Sequence, residues 1–353
     1  MQASITSAPF GTLPDGRQVT LYTLTNSNGL VVKVSDFGGV ITEIHVPDRD
    51  GQFADIALGY HELAPYYGDS PYFGALIGRY GNRIAEGKFE IDGKPYQLSI
   101  NNQTNHLHGG KSGFDRKLWR AVPFQEGDSV GLTLMHRSPD GDEGYPGNLD
   151  VTVVYELNGK NEFIMAFDAV TDQATPINLT QHAYFNLAGQ GDILGHELQI
   201  NADAYTPVSD KLIPTGELRP VEGTAFDFRT PRAIGERIGI DDDQLRFGQG
   251  YDHNFVLTRP QGRDSILAAR VVEPKSGRVL ELWTEEPGVQ FYSGNFLDGS
   301  NVGKGQAYAF RSGLCLEPQH FPNSPNTPNF PNAILRPGES YATVSRYRFA
   351  VEK

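Results

Sequence analysis

Turn-forming pairs recur between short runs of β-branched and aromatic residues throughout this chain, and that rhythm restricts its fold more than any other feature. "FEIDGKPYQLSI" breaks at Asp92-Gly93, "VTVVYELNGKNEFIMAFDAV" at Asn158-Gly159, and "AARVVEPKSGRVLELWT" around Ser276-Gly277. Each break supplies residues that enter left-handed or tight backbone at little cost, and each flank has strand-forming composition. The early runs "VTLYTLT", "LVVKVS" and "VITEIHV" follow the same grammar. Helical patterning is thin. Its best candidate is "TPRAIGERIG", where Thr230 is placed to cap and Pro231 to fill the first turn. The expectation is an all-β protein with few short helices, built as a large β-sandwich too big to close as one small barrel.

One compositional break interrupts the pattern. The segment "FPNSPNTPNFPNAILRPG", Phe321 to Gly338, leads into another strand-like run, "SYATVSRYRFAV", so it reads as a surface loop and not as a hinge. Residues 1–353 are therefore read as a single domain. Lys plus Arg number 30 against 43 Asp plus Glu, a formal net charge of -13, which argues against nucleic acid or an anionic membrane as partner. The start lacks a basic region followed by an apolar one, and no later window has the apolar length of a spanning helix; a cytoplasmic protein is expected. The single cysteine, Cys315, cannot form an internal disulfide, and its apolar setting "GLCLEPQ" suits a buried small side chain better than a nucleophile. Monomer and homodimer are both compatible with these features.

Polar residues occupy unusual places in five stretches. In "NLTQHAYFNL", strand alternation puts Asn178, Thr180, His182, Tyr184 and Asn186 on one face and Leu179, Gln181, Ala183, Phe185 and Leu187 on the other. By default such a polar face is the wet side of an antiparallel sheet. "GRYGNRIAEG" carries Asn82 and Arg83. "NNQTNHLHGG" carries His106 and His108, whose rings would point the same way on a strand, as a metal pair does. "GQGYDHNFVL" carries Asp252 and His253 at the entrance to an apolar run. "SGLCLEPQHFP" places Glu317 after an apolar strand expected from Gly313 to Leu316. A carboxylate there costs free energy unless it is paired, hydrated or used. Singly, each stretch is better explained as a surface charge, a cap or a satisfied sheet residue. Together they form a set able to bind hydroxyl groups and move protons between oxygens.

In chain order, "GRYGNRI", "NHLHGG", "NLTQHAYFNLAG", "YDHNF", "PGVQFYSGNFLDG" and "SGLCLEPQHFPN" resemble the motifs of the aldose 1-epimerase (galactose mutarotase) family, almost end to end. The resemblance implies a β-supersandwich, no cofactor, and a sugar held in an open cleft. It implies Glu317 as base and His182 as acid, with Asn82, Arg83, His108, Asp252 and Gln290 binding the sugar; Tyr184, on the face of His182, is expected to shape the pocket. One departure is visible: Gln181 stands where the family usually has Asn before the catalytic His. Alternation points Gln181 away from His182, so it bears on backbone support and not on catalysis.

The chemistry fits the residue types on its own. Exchanging the anomers of a cyclic aldose requires the C1 hydroxyl to lose a proton while the ring oxygen gains one, and a carboxylate and an imidazolium on opposite sides of the hemiacetal suffice. The expected partner is a neutral aldose such as galactose or glucose. Three rivals stand beside it: a hexose 6-phosphate epimerase, a metal enzyme using His106, His108, His182 and Glu317, and a sugar-binding module. The motifs offer Arg83 as their one obvious cation, with Arg116 and Lys117 as reserves for a phosphate, and no ligand follows His108 at short strand spacing to complete a metal set. A module without activity would be expected to lose one of Glu317 and His182, and this chain keeps both.

Overall fold

The computed structural model describes residues 2–260 and 264–353. The expected hairpins form. Lys88–Ile91 pairs with Lys94–Gln97 across Asp92 and Gly93, both with positive φ (52° and 80°), as a two-residue hairpin turn demands. Leu149–Leu157 pairs with Glu162–Thr171, and the Asn158 side chain holds the turn by accepting from the N–H groups of Lys160 and Glu162. Ile266–Val272 pairs with Arg278–Thr284.

Three sheets dominate. The first runs in chain order through Ser4–Thr12, Gln18–Thr25, Val31–Ser35, Ile41–Pro47 and Phe53–Asp55. The second has nine strands and brings the C-terminal Tyr341–Val351 between Glu162–Thr171 and Arg278–Thr284. The third has five strands in the order Arg219–Pro220, Ala202–Thr206, Asp252–Leu257, Gly288–Tyr292, Cys315–Gln319. One apolar core joins them: Leu24, Val32 and Ile44 from the first sheet, Val153, Phe163 and Leu282 from the second, and Val289, Phe291 and Leu316 from the third belong to the same cluster. Burial of each such side chain is worth about 1.5–3 kcal/mol. The Tyr347 hydroxyl adds a polar tie, donating to the Leu316 carbonyl across 3.1 Å.

"TPRAIGERIG" is not an α-helix. It forms the short strand Arg232–Ala233 and a single 3-10 turn, Ile234–Glu236, without a side-chain cap. The N–H groups of Ile234 and Gly235 go to the carbonyls of His196 and Leu194, so tertiary partners take the donors that a helix would have needed. The α-helices among the described residues are Ala64–Tyr67 and Asp243–Gly248. Asp242 caps the second, accepting from the N–H groups of Gln244 and Leu245. None of the described helices is long and apolar enough to cross a membrane.

Candidate active site

The third sheet carries the site on one face and its core contacts on the other. Antiparallel register aligns Asp252, Tyr292 and Cys315 in one row and Asn254, Gln290 and Glu317 in the next. The intervening row, His253, Phe291 and Leu316, faces the core. His253 is accordingly buried, its ring edge-on to Phe226 at 4.6 Å, outside the site. The strand holding Glu317 is not the expected 313–316 run. It spans Cys315–Gln319 and continues through Pro318, which is tolerated because this is the edge strand of its sheet.

His182 arrives from elsewhere. Only Thr180–His182 of the long polar stretch is a strand, paired with Ala75–Ile77. His182 and Tyr184 reach the cleft, whereas Asn178 and Asn186 serve backbone. Asn178 donates to the Gly81 and His320 carbonyls and accepts from the His320 N–H, joining the segments that lead to Asn82, His182 and Glu317. Gln181 points away from His182, as alternation requires. Its Nε2 donates to the Gly74 carbonyl across 2.5 Å and its Oε1 accepts from the Ala183 N–H at 2.6 Å.

His106 and His108 do not point the same way, because the strand ends at Leu107 and His108 turns into left-handed backbone (φ 51°). His106 faces inward: its Nδ1–H donates to the Ser99 carbonyl (2.7 Å), which leaves Nε2 to accept from the Tyr145 hydroxyl (2.6 Å). His108 lines the cleft, and its Nδ1 accepts from the Asn82 backbone N–H at 3.0 Å. Its remaining proton is therefore on Nε2, a donor. Arg83 stands beside it, its Nε donating to Asn102 Oδ1 at 3.2 Å.

Glu317 and His182 are both buried, with Oε1 and Nε2 3.7 Å apart. They are neighbours on one wall and do not oppose each other. Two oxygens bonded to the same carbon can meet such a pair from one side. Burial lifts the Glu317 carboxyl well above its ordinary range, the Asp252 charge adds to this, and Arg83 works against it. Burial lowers His182 to about 4. Burial thus favours the uncharged form of each member of the pair. Glu317 Oε2 has no hydrogen-bond partner among the described residues. Asp252 is raised by burial, opposed by Arg83 and by the 2.8 Å bond it accepts from Gln290 Nε2.

These groups line a cleft of about 440 Å³ that contains Asn82, Arg83, His108, His182, Tyr184, Asp252 and Glu317. Gln290 is not on its wall; it sits behind Asp252, bonded to it and to Gln319. Tyr72, Lys211 and Phe247 also line the wall without having stood out in the sequence, and Phe296 joins them from the "PGVQFYSGNFLDG" stretch. Phe296 is half exposed although apolar, a signal only the fold reveals.

The donors of His108, His182 and Glu317 lie within 4.8 Å of one another, a grouping that spacing along the chain had argued against. It resembles the two-histidine, one-carboxylate set of metal enzymes. The donor chemistry does not fit a resident ion. With Nδ1 of His108 filled by the Asn82 N–H, its Nε2 carries the proton and has no lone pair to give, and the Arg83 cation shares the cleft.

Residues 20–348 match the family model described as aldose 1-epimerase. The chain is 48% identical over 352 residues to human galactose mutarotase, covering 99% of both chains. It is 40% identical over 342 residues to the aldose 1-epimerase of Escherichia coli K12, covering 96% of this chain and 97% of the other. The structure of galactose 1-epimerase from Lactobacillus acidophilus superposes with a TM-score of 0.88 at 27% identity, covering all of both chains.

Proposed function

The chain belongs to the aldose 1-epimerase family, and from that premise we propose that Glu317 and His182 are the proton-transfer pair of its reaction. The protein is an enzyme that interconverts the α and β anomers of free aldoses such as galactose and glucose by acid-base ring opening and reclosure. The observation that carries the assignment is the buried pair on the cleft wall, 3.7 Å apart, with affinities for protons shifted in opposite directions.

With a cyclic sugar bound, Glu317 acts as carboxylate and His182 as imidazolium. Glu317 takes the proton of the C1 hydroxyl, the C1–O5 bond breaks as C1=O1 forms, and His182 Nε2 delivers its proton to O5. The pair is then carboxylic acid and neutral imidazole, the uncharged forms that burial favours. Rotation about C1–C2 presents the other carbonyl face. Glu317 then returns its proton to O1, His182 takes the C5 hydroxyl proton, and C1–O5 reforms. Both catalysts end as they began. Burial opposes the charged pair that ring opening needs, and Arg83 favours the Glu317 carboxylate.

The sugar hydroxyls are assigned to Asn82, Arg83, His108 Nε2–H and Asp252, with Tyr184 shaping the floor. Gln290 acts through Asp252. A core that includes both Ala3 and Phe349 supports one domain over residues 1–353. A single buried thiol suits a reducing compartment, and we propose a cytoplasmic location.

The test is polarimetry on fresh α-glucose and α-galactose with Glu317→Gln and His182→Asn. Each change is expected to lower kcat by about 10²–10⁴. Near-normal turnover in a folded variant removes that residue from its role.

A further inference from the structure

His182 must become a cation inside a buried site, and Glu317 is the only carboxylate within 4 Å of its ring nitrogens among the described residues. Two aromatic faces attend it as well. The Tyr184 ring lies 5.1 Å from the His182 ring with an interplanar angle of 26°, and the Tyr72 ring lies 5.7 Å away at 28°. Both tyrosines line the cleft. The other groups against the ring are the edge of His108, at 5.0 Å, and the Cys315 thiol, 3.7 Å from Nδ1. Burial keeps Cys315, Tyr72 and Tyr184 protonated by raising all three. His108, lowered first by burial and then by His182 itself, stays neutral. Arg83 also holds His108 down.

The chain holds Tyr72 in place at a cost. Its backbone is left-handed (φ 65°), a strained conformation for a tyrosine. Three hydrogen bonds tie its turn to the His182 segment: the Tyr184 hydroxyl donates to the Pro71 carbonyl (2.9 Å), Gly74 N–H to the His182 carbonyl (3.1 Å) and Gln181 to the Gly74 carbonyl (2.5 Å). A fourth, from Ala75 N–H back to the Tyr72 carbonyl (3.1 Å), closes the turn itself. Gly74 (φ 64°) is required at this turn, because a Cβ there would stand 2.0 Å from the Ile41 carbonyl oxygen. Tyr184 therefore presents one ring to His182 and through its hydroxyl anchors the other.

We propose that Tyr72, set by Tyr184 and the Gln181-braced turn, is a positioning residue whose π-face stabilises protonated His182 as it delivers its proton to the sugar ring oxygen. The ring quadrupole attracts an imidazolium and not a neutral imidazole, so the contact strengthens in the one state that burial disfavours. It rests on the assignment of His182 as the acid.

The test separates charge from shape. In the full-length enzyme Tyr72 is replaced by Phe and then by trifluoro- and pentafluorophenylalanine, which drain the ring of π density at nearly constant size. Tyr72→Leu serves as the aromatic-free end point. Tyr72→Phe is expected to keep kcat within about twofold, and kcat should fall stepwise with fluorination to a loss of about 3- to 30-fold at the Leu variant, with KM moving less. The His182 pKa followed by NMR should fall in the same order. A flat kcat and a flat His182 pKa across the fluorinated series overturn the proposal. So does a Phe variant as slow as the Leu variant, which would make the hydroxyl the active part. Normal turnover in His182→Asn overturns the acid assignment instead, and the pKa series still reports whether the stacking exists.

Discussion

The backbone N–H of Asn82 donates to Nδ1 of His108 across 3.0 Å, and that single bond decides what the ring can do in the cleft. With Nδ1 occupied as an acceptor, Nε2 carries the proton and offers a donor to the cleft.

Activity should therefore need no divalent ion, even though the donors of His108, His182 and Glu317 lie within 4.8 Å of one another. Prolonged chelation followed by dialysis is expected to leave the anomer exchange rate unchanged. Loss of activity that one divalent ion restores would show that His108 gives up the Asn82 bond to bind metal.

Charge on the cleft wall favours a neutral substrate. Arg83 and Lys211 are offset there by Asp210 and Asp252, and Glu317 adds a third negative charge when it acts as base. The reserve cations are engaged elsewhere, Arg116 with the Tyr67 and Gly68 carbonyls and Lys117 with Asp142. A phosphate would add roughly 1.5 to 2 negative charges. Glucose and galactose should be converted much faster than glucose 6-phosphate at matched concentration, measured as anomer exchange by NMR. Preference for the phosphorylated sugar would refute this.

Gln181 is a structural brace. Gln181→Leu leaves the buried Ala183 N–H without its acceptor and is expected to destabilise the fold by about 1–3 kcal/mol, seen as a lower urea midpoint. Gln181→Asn, one methylene short of bridging Gly74 and Ala183, should lie between. A Leu variant as stable as the parent would remove the brace.

His196 gives a pH signature away from the site. It is buried, its Nε2 accepts from the Leu187 N–H, and burial lowers it to about 4. Between the ordinary value of 6.5 and about 4, the unfolded chain binds a proton here that the folded chain refuses, so this residue's contribution to stability falls as pH falls. His196→Gln, which does not titrate, should destabilise at pH 7 and then close the gap on the parent as pH drops from 6.5 toward 4.5. A constant gap in urea unfolding across that range would contradict the assignment.

Much of this was written in local patterns. Asp92-Gly93 and Asn158-Gly159 made hairpins where alternation and turn chemistry placed them, because both depend on backbone geometry within a few residues. Alternation also placed Gln181 opposite His182, and that held. It failed where the backbone leaves the strand. His106 and His108 diverge because His108 is left-handed, and Asn178 and Asn186 turn to backbone partners because only Thr180–His182 of that stretch is a strand.

What the sequence by itself determined is therefore the inventory: all-β architecture, the strand faces, and the residues whose burial needs a purpose. Tertiary structure alone decided which of them meet. Glu317 and His182 became neighbours through the packing of two sheets, Gln290 fell behind Asp252 through cross-strand register, and Tyr72 reached His182 through a turn held by Tyr184 and Gln181. Side-chain periodicity is a property of one segment of backbone, whereas a cleft is made where segments more than a hundred residues apart pack against each other, and nothing within either segment encodes that distance.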